Sequence, residues 1–131
     1  MEFSKLERDV LDAFLDENDE RYPQLRSQVA VASVKSRDFT SHGFFTKLEL
    51  PLDSQRIPRD SRFFIALVCA VFEGGAALGF ALFVEDGRLE TIEGFTYERG
   101  WPRQDICDYK LSYHRSTGKV IALDYATQIV H

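Results

Sequence analysis

Cysteine is scarce in this sequence, and its two cysteines, Cys69 and Cys107, lie far apart. Neither belongs to a Cys-x-x-Cys pair, and no two histidines have zinc-ligand spacing. A disulfide-stabilised fold is also excluded, because such folds need several cysteines in a short chain. We therefore expect two reduced thiols, and the sequence predicts neither a metal ion nor a cofactor.

Positive charge is in the minority, since 16 lysines and arginines stand against 21 aspartates and glutamates, for a net charge of −5. A nucleic-acid-binding domain usually carries a basic face, and no stretch of this chain predicts one. We expect no nucleic acid among the partners of this protein. An acidic surface of this kind suits a protein partner.

The N-terminus lacks the apolar core of a secretory signal, because it is acidic and amphipathic. The longest apolar stretch, Phe63 to Val84, is long enough for a membrane helix, but Glu73-Gly74-Gly75 interrupts its middle. No basic cluster beside it sets an orientation in a bilayer. The stretch therefore predicts two buried strands, and we expect a cytoplasmic protein that does not bind membranes.

Strand-like composition dominates the centre of the chain. Three such runs, Phe63–Phe72, Ala76–Val84 and Leu89–Tyr97, are separated by two clusters of turn residues. The second cluster contains Asp86-Gly87, which is a strong hairpin signal because glycine adopts positive φ without strain. This pattern predicts a β-meander.

Two helices are predicted before the meander. Ser4 and Glu7 have the spacing of a capping box, and the helix that follows is expected to end near Glu17. Tyr22-Pro23 begins a second segment, since proline is favoured in a first helical turn. That segment is expected to be helical to about Ala30, although its residues also fit a strand.

The remaining segments predict further strands. A hairpin is predicted from Ser33–Phe39 and Phe44–Leu50. A strand is predicted at Lys119–Tyr125, and either a short helix or a strand at Asp105–Tyr113. The predicted fold is one α+β domain over residues 1–131. It has an antiparallel β-sheet of five to six strands with the N-terminal helices packed on one face.

Several segments of the sequence resemble one known family. They are Phe39-Thr40-x-x-Gly43-Phe44-Phe45-Thr46, Gly79-Phe80-x-Leu82-Phe83-Val84-Glu85-Asp86-Gly87, Glu93-Gly94-Phe95-Thr96-Tyr97 and Trp101-Pro102. The family consists of small uncharacterised bacterial proteins with FTGxGFFT-like, LF(I/V)EDG and LEGYTY…WP segments. The likeness runs to about Tyr113, with His42 in place of a small residue. The resemblance implies a bacterial cytoplasmic α+β domain and no particular activity.

Glu93 is the first candidate for a functional carboxylate. A two-residue Asp86-Gly87 turn pairs Glu93 with Phe80 on the apolar face, where burial would raise its pKa. A three-residue Glu85-Asp86-Gly87 loop places it beside Gly79 instead, on the face with Phe83 and Leu89. The alternative role is structural, with the carboxylate paired to an arginine or capping backbone N–H groups.

Aromatic and basic residues supply the other candidates. Trp101, with Tyr97 and Arg103, predicts a binding patch on the Glu98–Arg103 loop, because tryptophan, tyrosine and arginine are enriched at binding hot spots. The tryptophan could equally cover the end of the sheet. His42 lies in a glycine-containing turn, where an exposed histidine without a catalytic role is the simpler interpretation.

The sequence favours a non-enzymatic protein-binding module, of which immunity proteins are one type, acting through an acidic surface and the Glu98–Arg103 loop. The alternative is a small-molecule-binding protein or small enzyme with a pocket between sheet and helices, lined by Glu93, Tyr97 and His42. A third possibility is a homodimer that pairs an exposed sheet edge.

Overall fold

A computed structural model describes residues 1–16, 19–58, 61–72, 77–96, 109–114 and 120–123. These ranges contain two helices, α1 (Lys5–Phe14) and α2 (Tyr22–Val31). They also contain seven strands: β1 (Ser33–Thr40), β2 (Gly43–Glu49), β3 (Phe63–Phe72), β4 (Ala77–Glu85), β5 (Arg88–Thr96), β6 (Tyr109–His114) and β7 (Val120–Leu123).

The described strands form one antiparallel sheet in the order β1-β2-β5-β4-β3-β6-β7. Helix α1 contacts β3, β4 and β6, and helix α2 contacts β5. The predicted α+β fold, with N-terminal helices against an antiparallel sheet, is confirmed. The sheet is wider than predicted because β6 pairs with the outer side of β3 and β7 pairs with β6.

Helix α1 begins with the predicted capping box. The Ser4 hydroxyl accepts a hydrogen bond from the Glu7 N–H at 3.1 Å, and the Glu7 carboxylate accepts one from the Ser4 N–H at 2.7 Å. The helix ends at Phe14, before the expected position near Glu17, which lies outside the described residues. Arg26 of α2 donates to the carbonyl of Leu15, so a side chain satisfies one acceptor left free at this helix end.

The hydrophobic core lies between the helices and the sheet. Leu11 of α1, Leu25 of α2 and Phe80 of β4 are fully buried there. Complete burial of each such side chain contributes about 1.5–3 kcal/mol. The cluster also includes Leu6, Val10, Phe14, Phe44, Leu48, Leu78, Leu82, Val84, Leu89 and Ile92.

The β4–β5 hairpin turns at Asp86 and Gly87, with φ of 52° and 73°. Two positive φ values are typical of a type I′ turn, which the Asp-Gly pair predicts. Val84 pairs with Leu89 as expected, but the register then shifts and Phe83 pairs with Thr91. Glu90 is therefore the extra residue of a β-bulge.

Gln28 of α2 fixes the tip of this hairpin. Its fully buried amide donates to the carbonyls of Gln55 and Gly87, each at 2.9 Å. The side-chain oxygen of Gln28 accepts from the Leu89 N–H at 2.8 Å. The bulge therefore lies directly beside a tertiary hydrogen bond between this hairpin and helix α2.

Within the described residues, no helix has the length and apolar character needed to cross a membrane. The described parts of Phe63–Val84 form β3 and β4, so the prediction of two strands over this apolar stretch is confirmed.

Candidate functional site

The sheet face opposite the helices, here called the open face, carries a groove of about 790 Å³. Side chains alternate between the two faces of a strand. Phe44 of β2 belongs to the core, so Phe45 projects from the open face, and Phe64 and Phe83 also line the groove. Phe45 is 39% exposed and Phe64 is 63% exposed. The groove therefore has an aromatic lining that is open to solvent.

The strand order sets the width of the groove. Phe45 lies on β2 and Phe83 on β4, with β5 between them. Two strand spacings amount to about 10 Å, which is the usual separation of packed protein layers. Thr91 of β5 lies between these strands, since it pairs with Lys47 on one side and Phe83 on the other. An extended segment or a single large side chain would fit between the aromatic walls.

Charged side chains surround the aromatic lining, and among the described residues carboxylates outnumber cations. The rim consists of Asp38, Lys47, Arg62, Glu85 and Glu90. The Nε atom of Arg62 lies 2.7 Å from Oε1 of Glu85, and the Arg62 side chain is 82% exposed. Such a solvent-exposed pair contributes little to stability.

Glu90 of the rim has a raised pKa. Burial raises its pKa, and Glu85 adds to the rise through its charge and a hydrogen bond. The Asp86 charge acts in the same direction, while Lys47 lowers the pKa of Glu90. Burial and the neighbouring carboxylates thus make ionisation of Glu90 less favourable than that of a free glutamate.

Glu93 does not lie on the apolar face, so the placement predicted from a two-residue turn is wrong. The three-residue loop predicted the face that carries Phe83, where Glu93 does lie, but its pairing with Gly79 is wrong. The bulge at Glu90 pairs Glu93 with Ala81 rather than with Phe80, and Gly79 pairs with Phe95. Its neighbour Ile92 is fully buried in the core, which directs the half-buried Glu93 to the open face beside Phe45.

His42 lies in the exposed turn between β1 and β2. Its ring Nδ1 is 2.9 Å from the hydroxyl of Ser41, and its carbonyl accepts from the Thr96 N–H at 2.9 Å. Neither His42 nor Glu93 lies between the sheet and the helices, where the alternative function placed a pocket.

The other predicted binding residues, Tyr97, Trp101 and Arg103, lie outside the described residues, as does the Glu98–Arg103 loop. Their grouping into an aromatic and basic patch stays a prediction.

A buried ionic cluster was missed by sequence analysis. Glu7 is 3% exposed and accepts from Nε and Nη2 of Arg37, at 2.9 and 2.8 Å, and from the Thr46 hydroxyl at 2.7 Å. Burial alone would raise the pKa of Glu7, but hydrogen bonds from Arg37, Ser4 and Thr46 outweigh it, so the pKa is lowered. The carboxylate is saturated with donors, which indicates a structural role.

No group of three or more histidine, cysteine or acidic side chains in the described ranges has an arrangement that could hold a metal ion.

No protein-family model, curated protein or solved structure matches this chain. The resemblance to small bacterial proteins therefore depends on the sequence segments alone, and the geometry of the open face is the basis for a function.

Proposed function

We propose that this protein is a non-enzymatic protein-binding module and that the groove on the open face is its binding surface. The observation that supports this proposal is the exposure of Phe45 and Phe64 at the centre of a charged rim. Protein interfaces commonly combine an apolar centre, enriched in aromatic residues, with a polar edge. An immunity-type protein, which neutralises another protein by covering it, would be one instance of such a module.

The exposed rings provide a reason for association. Apolar surface gains free energy on leaving water, at about 25 cal/mol per Å², and adjacent exposed aromatic residues mark interaction sites more often than isolated ones do. Phe64 and Phe83 are adjacent, with ring centroids 5.9 Å apart. A partner that fills the groove would remove both rings from water together.

The geometry favours this function over a pocket between the sheet and the helices. Core side chains such as Leu11, Leu25 and Phe80 pack together in that layer. Glu93 faces away from it, and His42 lies in an exposed turn. Two of the residues assigned to the pocket, Glu93 and His42, therefore do not converge on the space between the layers.

Site-specific photo-crosslinking in the native cell tests the proposal. A photoreactive phenylalanine analogue replaces Phe45 or Phe64 in the groove, and replaces the exposed Gln24 of α2 as the control. We expect the groove positions to give a discrete adduct with one protein and the control position to give none. The same adducts from all three positions would contradict the proposal.

A binding assay with the purified partner follows the cross-link. Phe64→Ser should weaken binding by about tenfold or more, as truncation of a hot-spot residue does. Phe39→Ser is the matched control, because Phe39 is 70% exposed but belongs to the other face, where it pairs with Phe44. Both substitutions are at exposed sites, so unchanged thermal unfolding should show that the fold is kept. Equal effects of the two variants would assign binding to another surface.

A further inference from the structure

We infer that the partner segment presents an arginine to the groove, with its guanidinium over the Phe64–Phe83 ring pair and beside the carboxylate of Glu90. This inference rests on the proposed function. It specifies the chemistry of the partner as a basic protein segment in which an apolar side chain is next to an arginine.

The charge of the rim favours a cation. The Arg62 guanidinium is already paired with Glu85 at 2.7 Å. Lys47 is then the remaining described cation of the rim, against the carboxylates of Asp38 and Glu90. The whole chain adds to this asymmetry with its net charge of −5. A second copy of this chain would bring the same carboxylates towards each other, so a basic partner is the better complement.

The aromatic lining selects the type of cation. Arginine stacks its planar guanidinium on an aromatic face and donates two parallel hydrogen bonds to a carboxylate, whereas lysine is a strongly hydrated point charge. Phe83 pairs with Thr91, which directly follows Glu90 in β5. The ring pair and the carboxylate are therefore neighbours on the open face.

The molecule already contains this arrangement elsewhere. The guanidinium of Arg21 lies 4.2 Å from the centroid of the Phe63 ring. The same group donates from Nε and Nη2 to the two carboxylate oxygens of Asp19, at 2.9 and 2.8 Å. A guanidinium between a phenylalanine ring and a carboxylate thus already occurs in this protein, and the groove places the Phe64–Phe83 ring pair beside a further carboxylate, that of Glu90.

Titration of the full chain with blocked pentapeptides tests the inference by nuclear magnetic resonance. The first peptide has a phenylalanine flanked by two arginines, and the others replace the arginines by lysines, serines or glutamates. We expect the arginine peptide to bind most tightly and to shift the amide signals of Phe64, Glu90 and Thr91. Glu90→Gln should weaken this binding by about threefold or more, because it removes one charged partner. Glu20→Gln, at an exposed site in the turn that connects α1 to α2, should leave the affinity for the peptide unchanged.

Other outcomes overturn the inference. Equal affinities for the arginine, lysine and serine peptides would show that the groove does not select arginine. An affinity for the arginine peptide that is unchanged in Glu90→Gln would show the same. The inference would also be overturned if no amide signal shifted at peptide concentrations up to the millimolar range. If the groove cross-links are nevertheless found, the protein-binding proposal stands without the arginine. If the signals shift with protein concentration alone, the occupant is a second copy of this chain.

Discussion

Glu7 has a local role and a long-range role, and only the first could be predicted from the sequence. The capping box depends on a spacing of three residues, which is visible in the chain itself. Its other partners, Arg37 and Thr46, are 30 and 39 residues away. The sequence did contain one indication, since both residues occupy core-facing positions of their strands, where a polar side chain needs a partner.

We expect Glu7→Gln to lower the free energy of unfolding by about 2–4 kcal/mol, because it leaves a partly buried arginine without its counter-charge. Urea denaturation measures this loss. Arg62→Gln is the control, since it breaks an ion pair whose arginine is 82% exposed, and it should cost less than about 1 kcal/mol. Comparable losses would show that the Glu7 cluster does not stabilise the fold.

The pKa shifts of Glu7 and Glu90 predict opposite effects of pH. The pKa of Glu7 is lowered in the folded state from its usual value of 4.5, so its contribution is present above pH 4.5 and is lost as the pH falls through the folded value. The stability difference between the natural protein and Glu7→Gln should therefore shrink on acidification. The reverse trend would contradict the lowered pKa.

The pKa of Glu90 is raised from the same usual value, so its protonated form favours the folded state. That contribution is present below pH 4.5 and is lost as the pH rises through the folded value. Relative to the natural protein, Glu90→Gln should gain stability as the pH increases through this window. Unfolding curves at a series of pH values would measure the gain, and a constant difference would contradict it.

The β4–β5 hairpin shows how far an element can be predicted from its own residues. Asp86-Gly87 gave the turn and the Val84–Leu89 pair correctly, because both depend on local backbone geometry. The bulge at Glu90 could not be predicted, since the Leu89 amide beside it is engaged by a glutamine from another element. That single bulge changed the predicted environment of Glu93, which is why the proposed buried carboxylate was wrong.

We expect Gln28→Leu to lower the free energy of unfolding by about 2–4 kcal/mol, because it removes the acceptor of the buried Leu89 N–H and a donor to each of the Gln55 and Gly87 carbonyls. Gln24→Leu, on an exposed position of the same helix, should change it by less than about 0.5 kcal/mol. Guanidinium denaturation of both variants makes the comparison. A neutral Gln28→Leu would show that water replaces the lost hydrogen bonds.

At the scale of the whole molecule, the two faces of the sheet differ in what covers them. Strand β2 shows this most clearly, since Phe44, Thr46 and Leu48 are buried while Phe45 and Lys47 are exposed. Side chains alternate between the two faces of a strand, which accounts for these two sets. The groove could not be predicted in this way, because its described lining comes from strands β1 to β5, whose order depends on the complete topology.

The acidic character of the molecule predicts how association with a basic partner responds to salt. Raising the ionic strength should slow association, because charges beyond the immediate contact are screened within about 8–10 Å at physiological salt. Phe64→Ser should instead accelerate dissociation, since the ring acts after contact is made. Stopped-flow kinetics with the purified partner, once cross-linking has identified it, measures the association and dissociation rates separately. A salt-independent association rate would contradict an oppositely charged partner.

The position of Gln28 also has a consequence for the order of folding. Its hydrogen bonds join groups separated by 27, 59 and 61 residues, so they cannot form before the helix, the loop and the hairpin have come together. The hairpin itself can form within about 1–10 μs from local contacts. We therefore expect the Gln28 hydrogen bonds to form late in folding, after the hairpin itself. Gln28→Leu should therefore increase the rate of unfolding and leave the rate of folding almost unchanged.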